Sequence, residues 1–191
     1  MREREQEGRK GGRVLRWFAV AVVGAIVCTV CDHLHVVYGV LAYAHPDVWR
    51  QAWWVPLLFA VAAVAMVGGV PLFRDRLGGQ KAPLDVSALV RASVAFVAAY
   101  ALTAVDHASP NLVLGVLVGS WLWRVSAGAP RWIVLYALAT AVVGPLMESA
   151  ISRAGAFHYL APDFLGVARW LPALYLHAGL VAEPVRRWVD R

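Results

Sequence analysis

WFAVAVVGAIVCTVC, residues 17–31, holds no charged residue; a basic segment precedes it and Asp32-His33-Leu34-His35 follows. Its length and flanks admit two readings, the core of a secretory signal or the first span of a retained membrane protein. No A-x-A pattern stands directly after the run, where Asp32 to His35 follow, which favours the retained span. The rest of the chain repeats the pattern. Of its 191 residues 60% are hydrophobic and 16% charged, with mean hydropathy +0.60, against about 25% charged in soluble domains. A hydrocarbon core about 30 Å thick takes about 20 helical residues. Six segments near that length, separated by Pro, Gly and charge, are predicted as spans: 14–35, 52–73, 86–106, 111–127, 131–151 and 164–184. Nothing in the composition obliges span one to stop before His45-Pro46, so its helix can run on to Tyr43. The loops are too short for a second domain. The expected fold class is therefore all-α, a six-helix membrane bundle (14–188) behind a basic tail (1–13).

Lys and Arg concentrate in cytoplasmic loops of membrane proteins. With the amino terminus inside, fifteen of the 18 Lys and Arg fall on the inner side, and only Arg50, Arg153 and Arg169 fall on the outer side. An odd number of spans would destroy that bias, so both termini are expected in the cytoplasm. The net charge of +6 resides in tails and short loops rather than along one face, which argues against nucleic acid as a partner. Cys28 and Cys31 lie one helical turn apart inside span one and report no redox compartment. Gly115 and Gly119 have the spacing of a close helix contact.

Titratable residues near hydrocarbon are the usual functional suspects. Here they are Asp32, His33, His35, Asp106, His107, Glu148, Arg153, His158, Asp163, Arg169 and His177, most of them at the outer ends of spans. Glu148 and His177 lie within spans and need partners or a polar cavity. No metal site is expected, because adjacent helical residues such as Asp32 and His33 point apart, and the haem pattern C-x-x-C-H is broken by Asp32. H-E-x-x-H, G-x-S-x-G and Walker motifs are absent, and no inverted repeat suggests a transporter. Asp163, after Pro162 and before Phe164, is expected to cap the amino terminus of span six. Trp49, Trp53 and Trp54, then Trp121 and Trp123, then Tyr159, Phe164 and Trp170 form aromatic clusters suited to an interfacial belt or a lipid groove.

Ala52-Trp53-Trp54-Val55-Pro56, His107-Ala108-Ser109, Tyr159 with Pro162-Asp163-Phe164-Leu165, and Arg169-Trp170-Leu171-Pro172 carry a resemblance to the Insig (insulin-induced gene) family, as a bacterial homologue. It runs from about Trp49 to Trp188; Pro71 and Leu77-Gly78 also match. The resemblance implies six spans with both ends cytoplasmic, no enzymatic activity, a lipid bound within the bundle, and a homo-oligomer, with a trimer favoured. Two departures limit it. Arg124 stands after Trp121-Leu122-Trp123 where animal members carry an acidic residue tied to an escort protein, so such a partner is not expected. The family's span-five glutamine aligns with Ser149, beside Glu148, so sterol selectivity does not carry over. The Ala-, Val- and Arg-rich usage resembles that of a high-GC bacterium, which places the chain in an inner membrane and favours a diacylglycerol-type or phospholipid ligand over a sterol.

A lipid brings one polar end and long tails, so its site should be a mainly apolar pocket with a few polar groups. Glu148, His107 and Tyr159 are the expected polar contacts, with Trp54, Phe164 and Trp170 as apolar walls; no catalytic residue and no cofactor other than the lipid is expected. The competing reading is an intramembrane lipid-modifying enzyme, which would need Asp32, His33, Asp106, His107 or Glu148 to converge.

Overall fold

A glycine ends the first helix. The computed structural model describes the backbone of residues 2–191 and the side chains of 11–191, and its helix α1, Arg2–Val37, stops short of the Tyr43 expected from sequence. Gly39 adopts φ 73°. Its N–H donates to Val36 O (3.3 Å) and that of Val40 to His35 O (2.8 Å), the paired bonds with which a left-handed glycine closes a helix. The chain then enters strand β1, Leu41–Tyr43. Helices α2 (Val55–Arg76), α3 (Val86–Val105), α4 (Pro110–Ser126) and α5 (Arg131–Arg153) follow, then strand β2 (Phe157–Tyr159) and α6 (Leu171–Val189). The fold is helical as expected, with a short strand pair added. The last helix starts seven residues later than span six, because Leu165 (φ 53°) and Gly166 (φ 83°) turn the chain through a tight loop bridged between Phe164 and Val167. Pro172 then opens the helix in its first turn.

The strand pair exposes an internal repeat. β1 and β2 are antiparallel, with Leu41 opposite Tyr159, Ala42 opposite His158 and Tyr43 opposite Phe157. The shift that carries Tyr43 to Tyr159 carries Val37, the end of α1, to Arg153, the end of α5. Gly39 goes to Gly155, φ 81°, whose N–H and that of Ala156 close α5 on Ser152 O and Ile151 O as described for α1. The Val48–Gln51 bridge goes to Phe164–Val167; Trp49 at φ 52° goes to Leu165 at φ 53°. Trp54 (φ −82°, ψ −10°) goes to Trp170 (φ −80°, ψ −11°), each the residue before a Pro-initiated helix. Two helix–strand–helix units, α1-β1-α2 and α5-β2-α6, are thus related by a local two-fold axis through Ala42 and His158. Both run in the same direction, so this is a parallel repeat.

Small residues seat the helices of each unit together. A Cβ on Gly24 of α1 would lie 2.4 Å from Ala63 Cβ of α2, and one on Gly179 of α6 would lie 2.7 Å from Ala137 Cα of α5. Gly144 similarly admits the Tyr175 ring, 2.2 Å from where its Cβ would stand. Gly115 and Gly119 meet no neighbour within 4 Å, so the expected helix contact there is not made among the described residues. α3 and α4 stand between the units without counterparts; α3 packs against α6 and α1, and α4 against α6. The main core gathers round the strand pair. At the opposite end α6 is tied down by charge: Arg187 Nε donates to Glu183 (2.5 Å), Arg186 Nε to Asp190 (2.9 Å) and Arg16 Nη1 to Val189 O (3.1 Å). Among the described residues, α1, α2, α3 and α5 are long and apolar enough to cross a membrane. α4 is short at 17 residues, and α6 carries Glu183, Arg186 and Arg187.

Candidate functional site

A cavity of about 200 Å³ opens at the strand end of the bundle. Gly39 and Val40, from the turn after α1, form one side, and Tyr159, Ala161, Pro162, Asp163, Ala168 and Trp170, from β2 and the loop into α6, form another. His107 and Pro110 of the α3–α4 turn close the third. The sequence places these groups far apart. The repeat brings the two loops together at the strand pair, and the α3–α4 hairpin, having no counterpart, covers one of the two equivalent faces.

Three of the six expected contacts line the cavity. Trp170 is 1% exposed, its ring 5.5 Å from His35 and 6.4 Å from Tyr159. His107 Nδ1 donates to Ala104 O (2.9 Å), which leaves Nε2 as the ring nitrogen that can meet a ligand. Tyr159 offers its ring, while its hydroxyl donates to Glu148 Oε2 (2.6 Å). The other three do not line it. Glu148 sits behind Tyr159, its second oxygen accepting from Tyr175 (2.8 Å), so it positions the wall. Trp54 belongs to the first unit, where it packs on Tyr43 at 5.8 Å. Phe164 is half exposed because its loop turns outward.

Asp163 is not the cap of α6. It precedes Trp170, the residue before the helix, by a full loop, and no side chain caps that end. Its carboxylate instead pairs with Arg169, whose Nη1 reaches Asn111 Oδ1 on α4 (2.8 Å). The pair fastens the loop to the hairpin and holds the cavity mouth.

Asp32 is the repeat partner of Glu148, and its role repeats too. Buried in α1, it accepts from Tyr43 Oη (2.6 Å) and Gln51 Nε2 (2.7 Å), as Glu148 accepts from Tyr159. Each acid ties the outgoing helix of its unit to the strand that follows. Sequence reasoning marked both acids without their tyrosine partners; the shared spacing to Tyr43 and Tyr159 was the available signal. His35, fully buried, meets Thr103 Oγ1 at 2.9 Å. That hydroxyl spends its proton on Tyr100 O (2.7 Å), so His35 Nε2–H is the donor and pins α1 to α3. His33 faces Trp49 (5.5 Å), Asp106 is half-buried, and Arg153 and His158 are exposed. His177, on α6, contacts Leu117 O and Arg124.

The acid–base convergence that lipid chemistry would need is not made. Both Glu148 oxygens are taken by tyrosines, and no hydrogen bond joins them to His107. Among the described residues no three His, Cys, Asp or Glu could share a metal, and Cys28 and Cys31 are free thiols. What the cavity can do is hold something small. Its volume falls below the about 300 Å³ of the smallest usual ligand pockets, so it admits a polar head and a few carbons, with any long tail outside.

No protein-family model matches the chain. It is 31% identical to an Insig protein homolog of Mycolicibacterium vanbaalenii, over 89% of this chain and 84% of the relative. It is 30% identical to the insulin-induced gene 2 protein of Xenopus laevis, over 95% and 86% respectively. Its fold matches the crystal structure of MvINS, a mycobacterial Insig homolog from Mycobacterium vanbaalenii, with TM-score 0.80 and 25% identity across 93% of this chain and 95% of that one. A cross-linked trimer of MvINS matches with TM-score 0.78. With four helices apolar and long enough to cross a bilayer, the chain is an integral membrane protein, and it belongs to the Insig family as a bacterial homologue.

Proposed function

We propose that the chain binds a membrane lipid, of diacylglycerol or phospholipid type rather than sterol, and turns none over. The observation that carries this is the cavity: apolar walls at Val40, Ala168 and Trp170, with His107 beside them, suit one polar head at the mouth of an otherwise greasy path. Its volume fits a glycerol-sized head with the first carbons of its chains. A rigid four-ring sterol would have to enter whole, whereas acyl chains can lie along the exposed Val, Leu and Phe side chains outside. The chain crosses the bacterial inner membrane six times with both termini cytoplasmic, which the gathering of Arg13, Arg16, Arg186 and Arg187 at one end of the bundle supports. It assembles as a homotrimer, a reading supported by the cross-linked trimer of its mycobacterial relative. No escort protein is required.

The test is to purify the protein gently from its own membrane, identify the retained lipids by mass spectrometry, and compare Ala161→Trp, which fills the cavity from its exposed lip. Wild-type protein should retain diacylglycerol or phospholipid at constant stoichiometry, and the filled variant should lose it while remaining folded. Equal retention by both places the lipid elsewhere.

A further inference from the structure

Most interior arginines of the bundle meet a carboxylate. Arg74 pairs with Asp75 (2.9 Å), Arg186 with Asp190 (2.9 Å) and Arg187 with Glu183 (2.5 Å). Arg124 does not. The partner of its half-buried guanidinium is an imidazole, Nη1 lying 2.9 Å from His177 Nδ1. A guanidinium only donates, so Nδ1 accepts. Nε2 then carries the ring proton and donates to Leu117 O (3.0 Å). His177, 2% exposed, is therefore held neutral, and the positive charge of Arg124 has no compensating anion among the described residues.

The direction of the side chain is the second observation. Arg124 lies two residues from Ser126, the last residue of α4, where a long cation ordinarily stretches toward the nearer water. Here it turns inward to the His177 imidazole on α6, whose Nε2 lies against Leu117 O and Ser120 Oγ of α4. One turn before it on the same face, the Trp121 indole Nε1–H is buried and without an acceptor. Unpaired charge inside a membrane bundle is costly and marks sites that meet a polar partner. An unmet cation and an unmet N–H donor on one face of α4 call for an acceptor-rich anion.

We infer that Arg124, with Trp121 beside it, binds the anionic headgroup of a phospholipid at the end of the bundle opposite the cavity. His177 is a positioning residue: it fixes the guanidinium without sharing its charge. The site is separate from the cavity in place and in chemistry: it presents a guanidinium to the head, whereas among the described residues no lysine or arginine lines the cavity.

The experiment titrates purified protein in neutral detergent with phosphatidylglycerol, phosphatidylcholine or inorganic phosphate, reading bound lipid by native mass spectrometry and unfolding temperature in parallel. Wild-type protein should favour phosphatidylglycerol over phosphatidylcholine about fivefold, the ratio given by about 1 kcal/mol per basic residue, and be stabilised more by it at equal concentration. Arg124→Lys should keep the preference, and Arg124→Gln, which can still donate to His177, should abolish it while retaining diacylglycerol in the cavity. Equal binding of both lipids by unmutated protein overturns the inference whatever the variants do, as does an undiminished preference in Arg124→Gln. Stabilisation by inorganic phosphate equal to that by phosphatidylglycerol would show a free-anion site instead.

Discussion

Tyr159→Phe deletes one oxygen atom and leaves the cavity wall in place, so it isolates the bond that holds that wall. The hydroxyl donates to Glu148 at 2.6 Å from a residue 4% exposed, so no water replaces it easily. Leaving a buried acceptor without its donor costs about 1–3 kcal/mol, and that is the expected loss of stability. The bond is shared, however, and a two-by-two cycle with Glu148→Gln separates it from general damage. In the Glu148→Gln background Tyr159→Phe should cost less by about 1 kcal/mol, because residues in direct contact couple by about 0.5–3 kcal/mol while independent ones add within about 0.5. The repeat supplies an internal standard: Tyr43→Phe breaks the equivalent 2.6 Å bond to Asp32 and should cost a similar amount. The assay is reversible unfolding in mild-detergent micelles titrated with dodecyl sulfate, followed by helical circular dichroism. Additive Tyr159 and Glu148 variants would refute the claim that the acid positions the wall, and a costless Tyr43→Phe would refute the equivalence of the two units.

Gly179→Ala pushes a methyl to 2.7 Å from the Ala137 backbone and should destabilise by about 1–3 kcal/mol as an overpacked interface, measured by the same titration. Gly39→Ala forces a side chain into φ 73° and should cost about 1–2 kcal/mol, with hydrogen exchange rising first in the turn that lines the cavity. Asp163→Ala should cost no more than about 1 kcal/mol, since the Arg169 pair is partly exposed, yet it should speed lipid exchange by leaving Asn111 as the one side-chain partner of Arg169 among the described residues. Asp85 caps α3, and hydrogen bonds from Ser87, then the Ala88 N–H, hold its carboxyl below the usual range. Its contribution is present above the unfolded carboxylate value of about 4 and is lost as pH falls through the lower folded value, so Asp85→Ala should flatten the acid limb of a stability–pH profile.

The helices were readable from hydropathy and punctuation because lipid imposes long uninterrupted apolar runs; α3, for example, starts at the predicted residue 86. The stretches joining them were not. Gly39 reads as one small residue among many until its left-handed turn is known, so α1 seemed free to continue. The loop before α6 is apolar enough at Phe164 and Leu165 to pass for membrane helix, which displaced the start of that helix and made Asp163 look like a cap. Glu148 stands out in the sequence by its place inside a span, and Tyr159 by its aromatic cluster and the family resemblance. Their mutual bond, which turns Glu148 away from ligand duty, depends on β2 folding back beside α5.

Two equivalent units ought to make two equivalent cavities, and the reason they make one is the α3–α4 hairpin. The first unit presents the matching loop, with Tyr43, Pro46, Asp47, Ala52 and Trp54 where the second has Tyr159, Pro162, Asp163, Ala168 and Trp170. Both aspartates accept a bond from the residue just before the N-terminal Trp, Asp47 from the Trp53 N–H (3.1 Å) and Asp163 from the Arg169 side chain. Only Arg169 goes on to grasp Asn111 at the start of α4, and Trp53 remains mostly exposed. The hairpin thus converts a symmetric scaffold into one covered face and one bare one. It brings His107 to the covered face and Arg124 to the far end, so both polar contacts proposed for lipids rest on the part of the chain that the repeat does not duplicate.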